Sequence, residues 1–191
     1  MLRKTILAAL LAAAIPTHAV EKRSEWSAEP TSFLGIDLFQ GIAPQIPVCP
    51  DLYDGPAPAT LCHDKPYDGK YYSFRGLPQI GVGYTMDANT IDGSIQYVYL
   101  KLLSDDFDKL KLTFESRYGK PTKTDQELVR TGAGGEFTND IVWWEGKKIS
   151  IKIERYTGDI RSSSATVYNN SVNDLAKNRL RQEIDSGASN L

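Results

Sequence analysis

The sequence predicts an α+β domain: an antiparallel sheet, one central helix packed across it, and an amphipathic C-terminal helix. Three observations carry this expectation. Phe107, Leu110, Phe114 and Tyr118 recur at the spacing of one helical face, and Gly119 and Pro121 end the run. Residues 141–145 and 148–156 read as the two arms of a hairpin around Gly146-Lys147, the first a run of strand formers and the second alternating polar and apolar side chains from Lys148 to Glu154. Val172, Leu175, Ala176, Leu180 and Ile184 form a second helical stripe near the end of the chain. Several short strand patterns with only two helical ones point to antiparallel pairing, because alternating strand–helix units would be needed for a parallel sheet.

Taken in order, the chain opens with Arg3 and Lys4, then an apolar run from Ile6 to Ile15, then Pro16 and the small-residue exit Thr17-His18-Ala19. This is the form of a cleavable export signal, cut after Ala19. The run is shorter than the roughly 20 residues that span a bilayer core. No cysteine stands near the cut, so neither a membrane span nor a lipid anchor is expected, and the destination is the periplasm or the exterior. Residues 1–19 hold two of the 22 basic residues and no acid, leaving 20 basic against 24 acidic side chains in 172 residues. That length supports one domain with a real core. The mild, well-mixed acidity offers no basic face for nucleic acid.

Residues 20–31 read as a flexible arm, with Trp26 its one apolar anchor, and the domain proper as residues 32–186. Ser32 to Leu38 reads as a first strand. The segment 44–67 holds Pro44, Pro47, Pro50, Pro56, Pro58 and Pro66, and also Cys49 and Cys62, the only cysteines. In an exported chain such a pair is expected to form a disulfide, stabilising by about 3 kcal/mol through the short loop it closes. The competing arrangement, a metal held by Cys49, Cys62 and His63, matches no standard zinc spacing. No metal or other cofactor is expected.

Ile80, Val82 and Tyr84 alternate with glycines, and Met86 to Gly93 reads as a turn-rich loop joining them to a strand at Ser94–Leu102. Ser104 stands where a helix N-cap would, with Asp105, Asp106 and Asp108 in the first turn beside the positive end of the helix dipole. Glu127–Thr131 reads as a short strand, Gly132 to Gly135 as a hairpin tip, Ala165–Asn169 as a strand and Asn170–Asp185 as the final helix. A polar tail, disordered over residues 187–191, is expected beyond it.

No catalytic set is visible. His63 is the single histidine of the exported chain, and its loop placement predicts solvation. No serine or cysteine lies in a nucleophile elbow. Asp51, Asp54 and Asp64 of the proline-rich segment are the acids that a hydrolase could draw on beside His63. Asp87 to Gly93 approaches a calcium loop, but Asp92 falls one place late and Val98 stands where the closing glutamate belongs. Gly132 to Gly135 lacks the lysine of a phosphate loop. Asn169-Asn170-Ser171 has the form of a glycosylation acceptor, a chance match in a chain with a bacterial-type leader.

The 141–156 hairpin is more informative. An even-length turn puts Val142, Trp144, Ile149, Ile151 and Ile153 on the buried face, and Ile141 and Trp143 on the other beside Lys148, Ser150 and Lys152. Trp143 is then either a second small core under the terminal helix or the proline-rich segment, or the anchor of a binding surface formed with Ile141, Lys148 and Lys152.

With these elements placed, Phe114-Glu115-Ser116-Arg117-Tyr118-Gly119-Lys120-Pro121, the following Trp143-Trp144 strand and Ile46-Pro47-Val48-Cys49-Pro50 together resemble a group of small exported proteobacterial proteins of unknown function. The helix-on-sheet plan is also similar to the modules of β-lactamase inhibitory proteins and small outer-membrane assembly factors. The resemblance implies compartment and architecture and brings no catalytic residues. The absence of a catalytic set, the disulfide-pinned loop and an aromatic on a sheet face together lead to the expected function, a non-enzymatic module that binds another envelope protein as inhibitor, immunity-type protein or accessory factor. A small envelope hydrolase using His63 or the loop carboxylates is the alternative, and a carrier with an apolar cavity between sheet and terminal helix a third. N-terminal and mass analysis of the exported protein is expected to find Val20 as the first residue and no reactive thiol; an intact Met1 or two free sulfhydryls would overturn the export reading.

Overall fold

The computed structural model describes residues 26–51, 58–66 and 68–189. The leader and the first residues of the arm lie outside these, as do Asp54 and Pro56. Ten strands and two helices follow in order: β1 (Ser32–Phe33), β2 (Ile36–Asp37), β3 (Cys62–His63), β4 (Tyr71–Arg75), β5 (Tyr84–Ile91), β6 (Ser94–Leu103), α1 (Phe107–Tyr118), β7 (Lys123–Arg130), β8 (Glu136–Glu145), β9 (Ile149–Glu154), β10 (Ser162–Asn169) and α2 (Asn170–Ala188). β1 and β2 form a small ribbon, and the other eight build one antiparallel sheet in the order β3-β4-β5-β6-β10-β9-β8-β7. The chain thus lays down one half of the sheet, crosses it as α1, and lays down the other half from the far edge inward, so that β10 closes the centre between β6 and β9.

Period-two alternation decides what each face carries. Met86 and Ala88, Val98, Leu100 and Leu102, Ala165 and Val167, Ile149, Ile151 and Ile153, and Val142 and Trp144 share one face, and all are at most 5% exposed. Phe107, Leu110 and Phe114 of α1 lie on that face, as does the segment carrying Phe33, Ile36, Leu38, Ile42 and Ile46. Phe114 packs on Trp144 with ring centroids 6.1 Å apart. The last carbonyls of a helix have no partner within it. Here the Trp26 indole donates to the Tyr118 carbonyl (2.9 Å) and the Trp144 indole to that of Gly119 (2.8 Å), the residue whose positive φ ends α1.

The disulfide between Cys49 and Cys62 is present, with Cα atoms 4.9 Å apart. It fastens the N-terminal segment to the sheet edge, where the Cys49 N–H donates to the His63 carbonyl and the His63 N–H to that of Pro47. With the two sulfurs joined, no thiolate is left for the metal arrangement weighed above.

Several sequence expectations are corrected. The expected first strand is a tight hairpin, β1 to β2, turning at Leu34-Gly35 with φ of 49° and 89°. The expected loop over Met86–Gly93 is mostly strand β5; its polar residues Asp87 and Asn89 belong to the outer face, and only Asp92-Gly93 (φ 50° and 77°) makes the turn. Ser104 does not cap α1: residues 104–106 form a 3-10 turn, and the Ser104 hydroxyl donates to the Ile160 carbonyl instead. The strand expected at Glu127–Thr131 begins at Lys123. The arm is not loose where it is described, since Trp26 is buried and the Glu29 carboxylate accepts the N–H groups of Lys148 and Ile149. The final helix continues to Ala188, into the start of the expected tail, whose last two residues lie outside the described ones. Residues 132–135 do form a hairpin tip, closed by the Thr131 N–H to the Gly135 carbonyl at 2.9 Å.

Phe114→Ala is expected to destabilise the protein by about 3–5 kcal/mol in urea unfolding, because it opens a cavity between α1 and Trp144; a loss under about 1 kcal/mol would show that α1 is not fixed to the sheet at this point.

Candidate functional site

The face of the sheet opposite α1 is where the sequence placed its candidate surface. Among the described residues no helix lies across it. α2 starts at the end of β10 and runs past the β5–β6 turn, held by Gln96 donating to Asn173 (3.1 Å) and by an Arg179–Asp92 ion pair. The Asn169 side chain caps α2 and donates to the Leu38 carbonyl, so the glycosylation-like asparagine is buried and structural. Leu175, Leu180 and Ile184 remain exposed on α2.

Strand register arranges the open face in rows that cross the sheet. One row reads Tyr71, Asn89, Tyr97, Tyr168, Ser150 and Glu145; the next reads Ser73, Asp87, Tyr99, Thr166, Lys152 and Trp143; a third includes Lys101, Ser164, Glu154 and Ile141. The centre is low, because Ser164, Thr166 and Ser150 are short side chains, all buried beneath taller neighbours. The flanks are aromatic. Trp143 is half-buried and stacks on Tyr168 across Ser150, with centroids 6.5 Å apart and planes inclined by 21°. Tyr168 meets Tyr97 edge-on at 6.3 Å, and the Lys152 ammonium stands 5.4 Å from the Trp143 ring centre while pairing with Glu154 at 2.6 Å. The aromatic band from Tyr71 to Trp143 spans six strands, about 24 Å at the usual strand spacing.

The predicted surface residues are therefore only partly together. Trp143, Ile141 and Lys152 share the open face; Ile141 is 8% exposed, and Lys148 lies in the turn before β9, exposed but off the strand. Sequence reasoning missed Tyr97, Tyr99, Tyr168 and Tyr71. The signal was there in the alternation of 97 with 98 and 99 with 100, but it takes the β6–β10 pairing to put those tyrosines beside Trp143.

Burial raises the hydroxyl pKa of Tyr97 and Tyr168. For Tyr71, burial and then a hydrogen bond to Asp87 push it up to about 12. All three phenols stay protonated through the physiological range and can donate hydrogen bonds.

His63 is 3% exposed, not solvated: its ring lies edge-on to Tyr72 at 5.1 Å, with Nδ1 at 2.8 Å from the Asp64 carbonyl oxygen. The Pro-rich turn that looked open is covered on this side because β3 pairs with β4. Asp64 is paired with Arg75 (2.8 Å), and Asp51 is exposed. The structure does not bring these acids to a ring nitrogen of His63.

A second concavity, a cleft of about 530 Å³, lies between α1 and the outer strands β7 and β8. Its polar groups satisfy one another. Arg155, lying over the Phe107 ring, donates to Asp108 and Asp140 at 2.8 Å each, and Gln126 donates to Asp140 at 2.7 Å. Partial burial works against the charge on Asp140, but these hydrogen bonds, with the charges of Arg155 and Lys111, hold its carboxyl below the usual range.

Comparison with protein-family models, with curated proteins and with solved structures finds no match to this chain.

A carboxyl with a lowered folded-state pKa stabilises fully above its unfolded value, near 4, and loses that contribution as pH falls through the folded value. The stability difference between the wild-type protein and Asp140→Asn is therefore expected to be constant from pH 7 to 5 and to shrink below about pH 4. Urea unfolding at each pH checks this, and a difference that grew on acidification would refute the assignment.

Proposed function

We propose that this is an exported, non-enzymatic module that binds another protein of the cell envelope through the open face of its sheet, as an inhibitor, immunity-type protein or accessory factor. The observation that carries the reading is the Trp143–Tyr168–Tyr97 band on a face that no described element covers. Tryptophan and tyrosine dominate the energetics of protein interfaces, where a large rigid apolar body with one polar edge is desolvated at small entropic cost. The ring arrangement favours a protein over a glycan. Trp143 has one ring face on Tyr168 and Lys152 near its centre, and Tyr168 meets Tyr97 edge-on, so this band offers ring edges and hydroxyls rather than broad faces for sugars to stack on. The disulfide and the leader-like first nineteen residues support an oxidising compartment, the periplasm or the exterior. Burial of His63 against Tyr72 removes the main support for a hydrolase.

Trp143→Ala is expected to fold, losing about 1 kcal/mol of ring stacking, and to lose at least tenfold in affinity for a partner captured from the envelope fraction and re-titrated as a purified protein. An unfolded variant would place Trp143 in a core, and unchanged affinity would move the interface elsewhere.

A further inference from the structure

We propose that the open face binds its partner by accepting an arginine side chain of that partner at Asp87, between Tyr71, Tyr97 and Tyr99. This deepens the protein-binding reading and rests on it for the identity of the face. Register sets Asp87 directly between Ser73 and Tyr99, with Asn89, Tyr71 and Tyr97 forming the adjacent row. The result is a carboxylate that shares the open face with Tyr71, Tyr97 and Tyr99, at the opposite end of the aromatic band from Trp143. Asp87 is half-buried and Tyr71 is 44% exposed, so the site is both partly desolvated and reachable.

The chemistry of the carboxylate selects the guest. A carboxylate presents about four lone-pair positions. The Ser73 hydroxyl takes one at 2.7 Å, and the Tyr71 phenol is close enough for the same carboxylate to raise its pKa. The positions left over can take the two-donor edge of a guanidinium, while its flat face can lie against a tyrosine ring. Among the described residues no lysine, arginine or histidine forms an ion pair with Asp87. Lys101 stands one row further along β6, opposite Thr85 and Ser164. The acids of the α1 cleft differ on this point: Asp108 and Asp140 already hold Arg155. Asp87 is the carboxylate of the open face whose cation is still to come, and a partner's arginine supplies it.

The test is an NMR titration of the full exported chain with three capped peptides that differ only at the central residue: arginine, lysine or norleucine. The arginine peptide is expected to bind in the millimolar range, shifting the Asp87, Tyr97 and Tyr99 signals, to weaken as salt is raised, and to bind at least fivefold more tightly than the norleucine peptide. Asp87→Asn, with an otherwise unchanged spectrum, is expected to weaken it at least fivefold, with the lysine peptide weaker than the arginine one on the wild-type protein. Equal binding of the norleucine peptide, insensitivity to salt, a tighter lysine peptide, or the same signals moving instead with an N-acetylglucosamine oligomer would each overturn the inference. The salt and norleucine arms use only wild-type protein, so they decide the matter even if Asp87→Asn does not fold. Failure here is distinct from failure of the broader reading, which the Trp143→Ala affinity reports separately.

Discussion

The contact of Phe114 with Trp144 is the joint on which the rest of the molecule depends. It fixes α1 to the second half of the sheet, and the two indole donors from Trp26 and Trp144 close the carbonyls where the helix ends. Once α1 and the segment carrying Phe33 to Ile46 occupy that face, every strand is committed. A one-residue slip would carry each apolar row to the wrong side. Trp143 and Trp144 show the consequence within a single peptide bond: one indole is fully buried under the helix, and the other stands half-open on the reverse face.

The two polar regions of the surface differ in how completely their charges are answered. In the cleft beside α1, Arg155 is clamped between Asp108 and Asp140 and lies on Phe107, so its guanidinium already has what a ligand would provide. That network ties the helix to the outer strands. On the open face, short residues of β10 and β9 leave a low centre between aromatic flanks, and Asp87 accepts from the Ser73 hydroxyl with no ion pair among the described residues. A surface that is aromatic, rigid and incompletely paired is suited to meeting another molecule, whereas a neutralised network is suited to holding the fold.

Much of the architecture could be read in advance. The helix ending at Tyr118, the hairpin that puts Trp144 and Ile151 on one face, the disulfide and the final helix all depend on local signals: a 3.6-residue stripe, a glycine stop, an even-length turn and a cysteine pair. What was misread lay where local signals conflict with tertiary ones. Met86 to Gly93 is rich in turn formers, yet Asp87 and Asn89 are polar because they face outward from a strand. Ser104 looks like a cap but donates to Ile160, because the chain returns there after β9. His63 lies among prolines and acids, yet pairing of β3 with β4 buries it.

What the sequence determined by itself was the content of each face, since side-chain periodicity is a property of neighbours along the chain. Trp143 and Lys152 could be assigned to one surface, and Tyr97 and Tyr99 to one side of their strand, without coordinates. Which strands lie side by side was decided only by the tertiary structure. β10, last to be made, inserts between β6 and β9 and brings Tyr168 within reach of both Tyr97 and Trp143. Contacts between residues so far apart in the chain depend on burying the whole core at once, and no local pattern encodes them.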